Sequence, residues 1–348
     1  MSRYGVTYGM GKMQIISIFN NKGGVGKTTY IYHIAHLLER AGQTVLLVDL
    51  DSQCNLSSYC LSDAELERSW RSERGNSIWN AIERVSVGLG DIRERRPTRL
   101  YKEHAFGAYE NLYLVPGDVM LSSYEDRLGD TWSAARGGDQ MSLRVQSAIY
   151  RYILWCADSV GADVVLLDLG PNLGSLNRAV LAASNYFITP VSPDLFSIRG
   201  TENLGSKLNT WRAGWDQCNG YKDYIDFELP EGKPCFLGYV KQQHNVRDNE
   251  AGMTRGWNIF GEQIEEAVQR NIVARLDPLR QVFRWGDGRF DLGGIPNLHS
   301  LVPYSQEAKK PIFDCNGRDG LTGAHISRAR NSTQYFEPMV ETLLQVLD

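Results

Sequence analysis

What the chain has little of narrows the choices first. Its six cysteines (Cys54, Cys60, Cys156, Cys218, Cys235 and Cys315) lie far apart and form no C-x-x-C pair. Nothing in their spacing asks for a disulfide framework, and reduced thiols in a cytoplasmic protein are the simplest account. No apolar run approaches the length of a membrane span, so no membrane partner is expected. Residues 1–12, with three glycines and no periodicity, lack the apolar core of a signal peptide and read as a flexible tail. A large excess of either charge sign is missing too: 37 Lys+Arg stand against 41 Asp+Glu, a net charge of -4. Bulk electrostatics therefore make no case for nucleic acid, and any such surface must be a local patch. What remains is an ordinary globular composition, 42% hydrophobic and 22% charged. At 348 residues the chain is long enough for one large α/β domain with insertions, or for two domains.

The most informative stretch is Phe19-Asn20-Asn21-Lys22-Gly23-Gly24-Val25-Gly26-Lys27-Thr28-Thr29, a phosphate-binding loop between a strand and a helix. The strand, 13–19, is rich in β-branched and apolar residues. The helix starts at Lys27 and carries Ile31, Ile34, Ala35 and Leu38 at i, i+3, i+4 and i+7, one face for a sheet. Gly23, Gly24 and Gly26 let the backbone turn consecutive N–H groups toward phosphate oxygens at the positive end of the helix, with Val25 and Thr29 completing the cradle. Lys27 is expected to reach the β and γ phosphates and the Thr28 hydroxyl to bind Mg²⁺. The ligands this loop leads us to expect are a nucleotide with β and γ phosphates, together with Mg²⁺.

Further along, 44–49 is a Val/Leu-rich strand ending in carboxylates, and Asp49, Asp51, Gln53 and Asn55 alternate just past its end. Open α/β sheets place ligands there. The apolar strand 162–169 suits a sheet buried on both faces. It closes on Asp168, an acid after four apolar residues, where a carboxylate binds Mg²⁺ directly or through water. Strands are also expected at 111–116, 186–191, 236–243 and 298–303, and helices at 77–85, 142–157 and 334–347. The last helix carries an apolar stripe without basic flanks, and should pack on the protein and not on a membrane. Between 56 and 111 the pattern is otherwise irregular. Its run 92–102 holds Arg93, Arg95, Arg96, Arg99 and Lys102 against Glu94, either a contact for phosphates or an acidic partner, or a solvated face. The aromatic-rich segment 209–234 (Trp211, Trp215, Tyr221, Tyr224, Phe227) suits core or interface packing more than ligand stacking.

Lys22 stands inside the loop, where the general template asks for no charge, and Lys22-Gly23-Gly24-Val25-Gly26-Lys27-Thr28-Thr29 resembles the deviant Walker A motif of the ParA/MinD family of ATPases. The stretch 49–55 resembles that family's first switch, with Ser52 and Cys54 where proline and glycine are common. The stretch 168–174 resembles the second, with Gly170 in place of a first proline. Residues 111–118 and 298–312 are similar to family segments as well. The resemblance implies that the nucleotide is ATP and that Lys22 crosses a dimer interface to the phosphates of the partner's nucleotide. It implies that Asp51 orients or activates the attacking water, that Thr28, Asp51 and Asp168 form the metal side, and that Asn55 faces the nucleotide. Pro190, in the loop 190–200, and Gln242 are implied near adenine. The segment 244–255, with Arg247 and Arg255, is similar to a mobile family loop that contacts DNA or a partner.

The expected architecture is a single doubly wound, mostly parallel α/β P-loop domain over 13–348, with insertions at about 57–110 and 209–234. The expected activity is Mg-dependent ATP hydrolysis that runs a dimerisation switch: a homodimer when ATP-bound, binding non-specific DNA and released by a stimulating partner protein. The alternative is a nucleotide-gated regulator of a partner effector, for example in a defence or toxin system, without DNA. Two other readings share the scaffold. An electron-transfer relative would need cysteines at the dimer seam, and a small-molecule kinase would transfer phosphate to a substrate other than water.

Overall fold

The computed structural model describes residues 13–104, 107–192, 194–244, 255–298 and 300–347. The chain opens with β1 (Gln14–Ile18), α1 (Lys27–Arg40), β2 (Val45–Leu50), α2 (Asn55–Cys60), α3 (Asp63–Ser69) and α4 (Ile78–Ser86). Short strands β3 (Thr98–Arg99), β4 (Lys102–His104) and β5 (Gly107–Tyr109) lead to β6 (Leu112–Val115), α5 (Leu121–Arg136) and α6 (Gln140–Val160). Then come β7 (Val164–Leu169), α7 (Ser175–Ala183), β8 (Tyr186–Val191), the 25-residue α8 (Leu195–Asn219) and β9 (Cys235–His244). The remainder is α9 (Arg255–Val268), running through a π turn at Gln269–Val273 into α10 (Ala274–Leu276), then β10 (Asp291–Pro296), α11 (Val302–Ala308), α12 (Ala324–Asn331) and α13 (Glu337–Leu347).

Eight strands form one sheet in the order β10-β9-β8-β1-β7-β2-β6-β3, parallel except for the edge strand β3; β4 and β5 pair separately as an antiparallel ribbon. The chain steps from β1 over β7 to β2, returns to β7, and then crosses to β8 on the far side of β1. That reversal puts a crevice beyond the carboxyl end of β1.

Strand periodicity builds the two faces. Ile15, Leu46, Val48, Val165 and Leu167 point into a core with α4 to α8, while Ile16, Ile18, Val45, Leu47, Val164 and Leu166 point into a second core with α1 and α13. A smaller cluster joins Trp215, Cys218 and Leu229 to Ala135 and Leu143, with Trp132, Tyr221, Ile225 and Phe227 packed against it. The aromatics of 209–234 are thus mostly packing residues, although Tyr224 is exposed. All six cysteines are free, and among the described residues no helix is long and apolar enough to cross a membrane.

Several expected elements move. The last strand lies at 291–296, not 298–303; there Leu298 and Leu301 make a turn and Pro303 is the second residue of α11, in the first turn, where a missing N–H is harmless. The range 56–111 holds helices α2 and α3 besides the expected α4. The range 209–234 begins inside α8. Helices α5 and α7 were not expected from periodicity at all. Arg247 lies outside the described residues, as does the tail 1–12.

Candidate nucleotide site

The loop after β1 is shaped by two glycines in the left-handed region, Gly24 (φ 71°) and Gly26 (φ 76°), which side chains with a Cβ enter only at a penalty. Gly26 is the N-cap of α1; it offers no side chain to the first amides, and the first turn carries no acid. The positive end of the helix is therefore left to an external anion. Buried Asn20 steadies the loop: its side-chain amide donates to the Pro190 carbonyl, and its Oδ1 accepts from the Lys22 amide at 2.9 Å. Sequence reasoning passed over Asn20, and its neighbours in the motif gave no signal that it ties β1 to β8.

A cavity of about 620 Å³ opens over the loop. Gly23, Gly24, Val25, Gly26, Lys27, Thr28, Thr29, Asp51 and Asn55 all line it, together with Gln53, Tyr59, Pro171, Val302, Pro303 and Gln306. Lys27 is buried, with Nζ donating to the Asn20 and Lys22 carbonyls at 3.3 Å each. Burial lowers its pKa, against the attraction of Asp168 and Asp51. Beneath the loop, Thr28 Oγ1 donates to Asp168 Oδ2 at 2.8 Å, while Asp168 Oδ1 is buried with no hydrogen-bond partner among the described residues. Burial, and next the charge of Asp49, push the Asp168 carboxyl up to about 8, with the Thr28 bond and Lys27 opposing. An orphaned carboxylate oxygen beside a hydroxyl is a hard-oxygen donor set that suits Mg²⁺, which takes one or two protein oxygens and fills its shell with phosphate and water. Among the described residues no group of three His, Cys, Asp or Glu side chains forms a self-sufficient metal cage.

The two carboxylates after β2 divide their work. Asp49 is fully buried and accepts from the Ser57 amide (2.7 Å) and hydroxyl (2.6 Å) through Oδ2 and from the Asp51 amide (3.2 Å) through Oδ1. Ser57 Oγ in turn accepts from the Gly117 amide at 2.7 Å. Asp49 thus fixes the start of α2 and is not free for a ligand. Asp51 reaches the cavity, bracing its own turn by accepting from the Gln53 amide at 3.0 Å. A Cβ on Gly170 would come within 3.3 Å of Asp51 Oδ1, and one on Gly23 within 3.7 Å of Pro171. The loops after β1, β2 and β7 therefore converge closely.

Three expected residues stand off the cavity. Lys22 is half-buried and ion-paired with Asp194, whose other oxygen caps α8 by accepting from the Ser197 amide at 3.0 Å. Pro190 lies behind the loop, its carbonyl held by Asn20. Gln242 is buried under Gly26, where an added Cβ would meet Oε1 at 3.0 Å, and its Nε2 has no hydrogen-bond partner among the described residues. The rim toward the solvent is instead formed by Val302 and Pro303 of α11, beside which Tyr59 donates to Ser305 at 2.9 Å. The sequence signals for that rim were the proline after an apolar run and the resemblance of 298–312 to a family segment.

A glycine loop on β1, a hydroxyl–carboxylate pair on α1 and β7, and a doubly wound sheet define the class: a P-loop nucleotide-binding protein. Residues 13–216 match a family model described as AAA domain, and the chain belongs to the ParA/MinD family of P-loop ATPases. It is 30% identical over 203 residues to the chromosome-partitioning ATPase Soj of Thermus thermophilus, covering 58% of this chain and 64% of the relative. It is 27% identical over 238 residues to a virulence plasmid ParA family protein of Chlamydia psittaci, covering 64% and 78%. A replication protein A of Rhizobium rhizogenes, so described provisionally, is 30% identical over 211 residues, covering 57% of this chain and 48% of the relative. The chain thus spans about half to two thirds of the length of the first relatives it matches. Among solved structures, a Corynebacterium diphtheriae protein superposes with TM-score 0.66 at 26% identity, covering 85% of this chain and 97% of that one. The pnob8 ParA does so with TM-score 0.57 at 20% identity, covering 96% and 98%.

Proposed function

We propose that this chain is a Mg-dependent ATP hydrolase whose nucleotide state switches a homodimer on and off, in the service of partitioning or positioning DNA or another cargo. The observation that carries the reading is the convergence on one cavity of the phosphate loop, the Thr28–Asp168 pair with its free oxygen, and Asp51, while Lys22 is turned off that cavity. The relatives described as partitioning and plasmid ParA proteins support it.

In this reading the amides of Gly23 to Thr28 and the Lys27 ammonium hold the β and γ phosphates. Thr28 and Asp168, with Asp51 nearby, hold Mg²⁺, which when bound neutralises charge on the triphosphate. Asp51 accepts a hydrogen bond from the attacking water and orients it toward the γ-phosphorus. Asn55 closes the phosphate side, and Val302 and Pro303 give the base an apolar wall, the role expected of Pro190 and Gln242. Lys22, released from Asp194, reaches the nucleotide of a second copy. Hydrolysis removes the phosphate that both chains share, and the dimer parts. The ATP dimer binds DNA non-specifically in the cytoplasm until a stimulating partner protein triggers hydrolysis. The whole of 13–348 acts as one domain.

Light scattering with ATP, ADP and no nucleotide tests the switch. A dimer is expected only with ATP and persists in Asp51→Ala; a monomer in every state overturns it. DNA retention by the ATP dimer at low salt separates partitioning from regulation of an effector, which needs none.

A further inference from the structure

Away from the nucleotide cavity, and sharing no lining residue with it, an open trough of about 500 Å³ lies beside the edge strand β3. Three segments of chain meet there. The end of α3 gives Arg68, the following loop gives Arg74, and the run before β3 gives Arg95 and Arg96. Two acids share the lining, Glu65 and Glu94, against the four arginines; Glu65 Oε2 accepts from the Ser62 amide (2.9 Å) and hydroxyl (2.6 Å) at the start of α3, and its charge is felt by Arg68. Among the described residues no carboxylate lies within ion-pair distance of Arg68, Arg74, Arg95 or Arg96, whereas Arg93 and Arg99 of the same run are paired with Glu83 and Glu110. Within this run the guanidiniums without a carboxylate partner are the ones at the trough, although Arg95 Nη2 donates to the Glu73 carbonyl at 3.0 Å and, on α3, Arg68 Nε donates to the Ala64 carbonyl at 3.1 Å.

The trough is built, not draped. Tyr152 of α6 donates to the Arg95 carbonyl at 2.6 Å, and Asn76 donates to the Arg96 carbonyl at 3.0 Å and to Thr98 Oγ1 at 2.9 Å. Gly75 sits so tightly on α3 that a Cβ would come within 2.2 Å of the Ser69 carbonyl. The backbone that carries these arginines is therefore already ordered, and the ordering cost left on binding an anion is that of the exposed Arg68, Arg74 and Arg96 side chains. The walls also exclude some ligands. Among the described residues Leu61 is the single apolar one in the lining and none is aromatic, so neither a stacked base nor the apolar side chains of a peptide would find a seat. Guanidinium forks around an open, polar trough match successive phosphodiesters.

We infer that this trough binds the phosphate backbone of nucleic acid, independent of sequence, and is a DNA-contacting surface of the ATP-bound form. The inference rests on the partition reading above. It is connected to the nucleotide in the fold: α2 starts at Asn55, on the ATP cavity, and ends next to Leu61, on the trough, about 9 Å away at the rise of a helix.

The test compares Arg74→Glu/Arg96→Glu with Arg328→Glu/Arg330→Glu, the same charge change on exposed α12 arginines, using a random duplex DNA, ATP and a salt titration. The trough variant is expected to bind about tenfold more weakly, with a log K against log salt slope shallower by about two, at unchanged DNA-free ATP turnover. The α12 variant should behave as wild type. Equal losses in both variants, or none in the trough variant, overturn the trough while leaving the partition reading intact. No ATP-dependent DNA binding by wild type at about 50 mM salt overturns both. Polyglutamate binding that the trough variant loses, with DNA binding kept, would assign the surface to an acidic protein and also overturn it. Arg74→Gln/Arg96→Gln repeats the comparison should charge reversal disturb folding.

Discussion

Single atoms decide how the loop after β1 can be used. Gly26 holds φ at 76° directly over buried Gln242. A methyl group there meets both a strained backbone and the Gln242 oxygen, so Gly26→Ala should lower stability by about 1 kcal/mol or more and weaken ATP binding together. Isothermal titration and a denaturant midpoint on the same sample check both effects. Asp168 carries a different balance. Its carboxylate is buried with one oxygen unsatisfied, which disfavours the charged form as long as no cation shares the site. Asp168→Asn keeps the shape and an acceptor for Thr28, and should raise the melting temperature of the nucleotide-free protein while removing hydrolysis. A drop in melting temperature would mean that the charge, not the cation it awaits, is structural.

At the scale of elements, α1 links the phosphate loop to the C-terminal segment through His33. Its Nε2 accepts from the Ile312 amide at 2.9 Å, its Nδ1 faces the Thr29 carbonyl at 2.6 Å, and its ring stacks on Phe336. Burial pulls its pKa down to about 4. The unfolded imidazole titrates near 6.5, so on acidification the unfolded chain takes up the proton first. The stability His33 contributes is whole above pH 6.5 and is lost as pH falls toward 4, at roughly 1 kcal/mol per pH unit. Asp49, pushed up to about 6 by burial, works in the opposite sense over much of that window. The measurement is therefore the difference between wild type and His33→Gln in urea at pH 7.5 and 5.0: the gap should narrow at the lower pH. Helix α8 makes a second case. Its Gly205 lies against the π turn, where a Cβ would come within 1.9 Å of the Asn271 carbonyl, and Gly205→Ala should cost about 1–3 kcal/mol despite improving helix propensity.

Those same residues explain what was legible beforehand. β1, β2, β7, β8 and β9 announce themselves because strands buried on both faces are near-continuous apolar runs, and α1, α4 and α6 because their apolar stripes are clean. α8 does not, because Gly200, Gly205 and Gly214 read as breaks; close packing on Asn21, Asn271 and Trp132 respectively is what requires them. β10 hides for a similar reason, spelling Asp-Leu-Gly-Gly-Ile-Pro. The phosphate loop, Asp51 and Asp168 could be found from motif and strand ends. Asn20 and Ser57 act through a contact 170 residues away or through hydrogen bonds that leave no pattern in sequence.

At the scale of the whole molecule, the question is whether one chain makes a complete site. Within the chain, Lys22 is engaged with Asp194 and does not line the cavity that Asp51 lines. If Lys22 serves a partner's nucleotide across a two-fold axis, a site is formed by Lys22 of one copy and Asp51 of the other. Lys22→Ala and Asp51→Ala should then each abolish turnover as pure proteins while still binding ATP. Mixed before nucleotide is added, they form heterodimers in which one site carries both defects and the other carries neither. With random pairing, half the dimers gain one intact site of two, so turnover should return to about a quarter of wild type at equal total protein. A lysine that worked on its own chain's nucleotide would leave every site in the mixture defective, and no activity would return. Wild-type specific activity must also fall on dilution below the dimer's dissociation range, and a turnover per chain that stays constant there contradicts the shared site even if the mixture recovers.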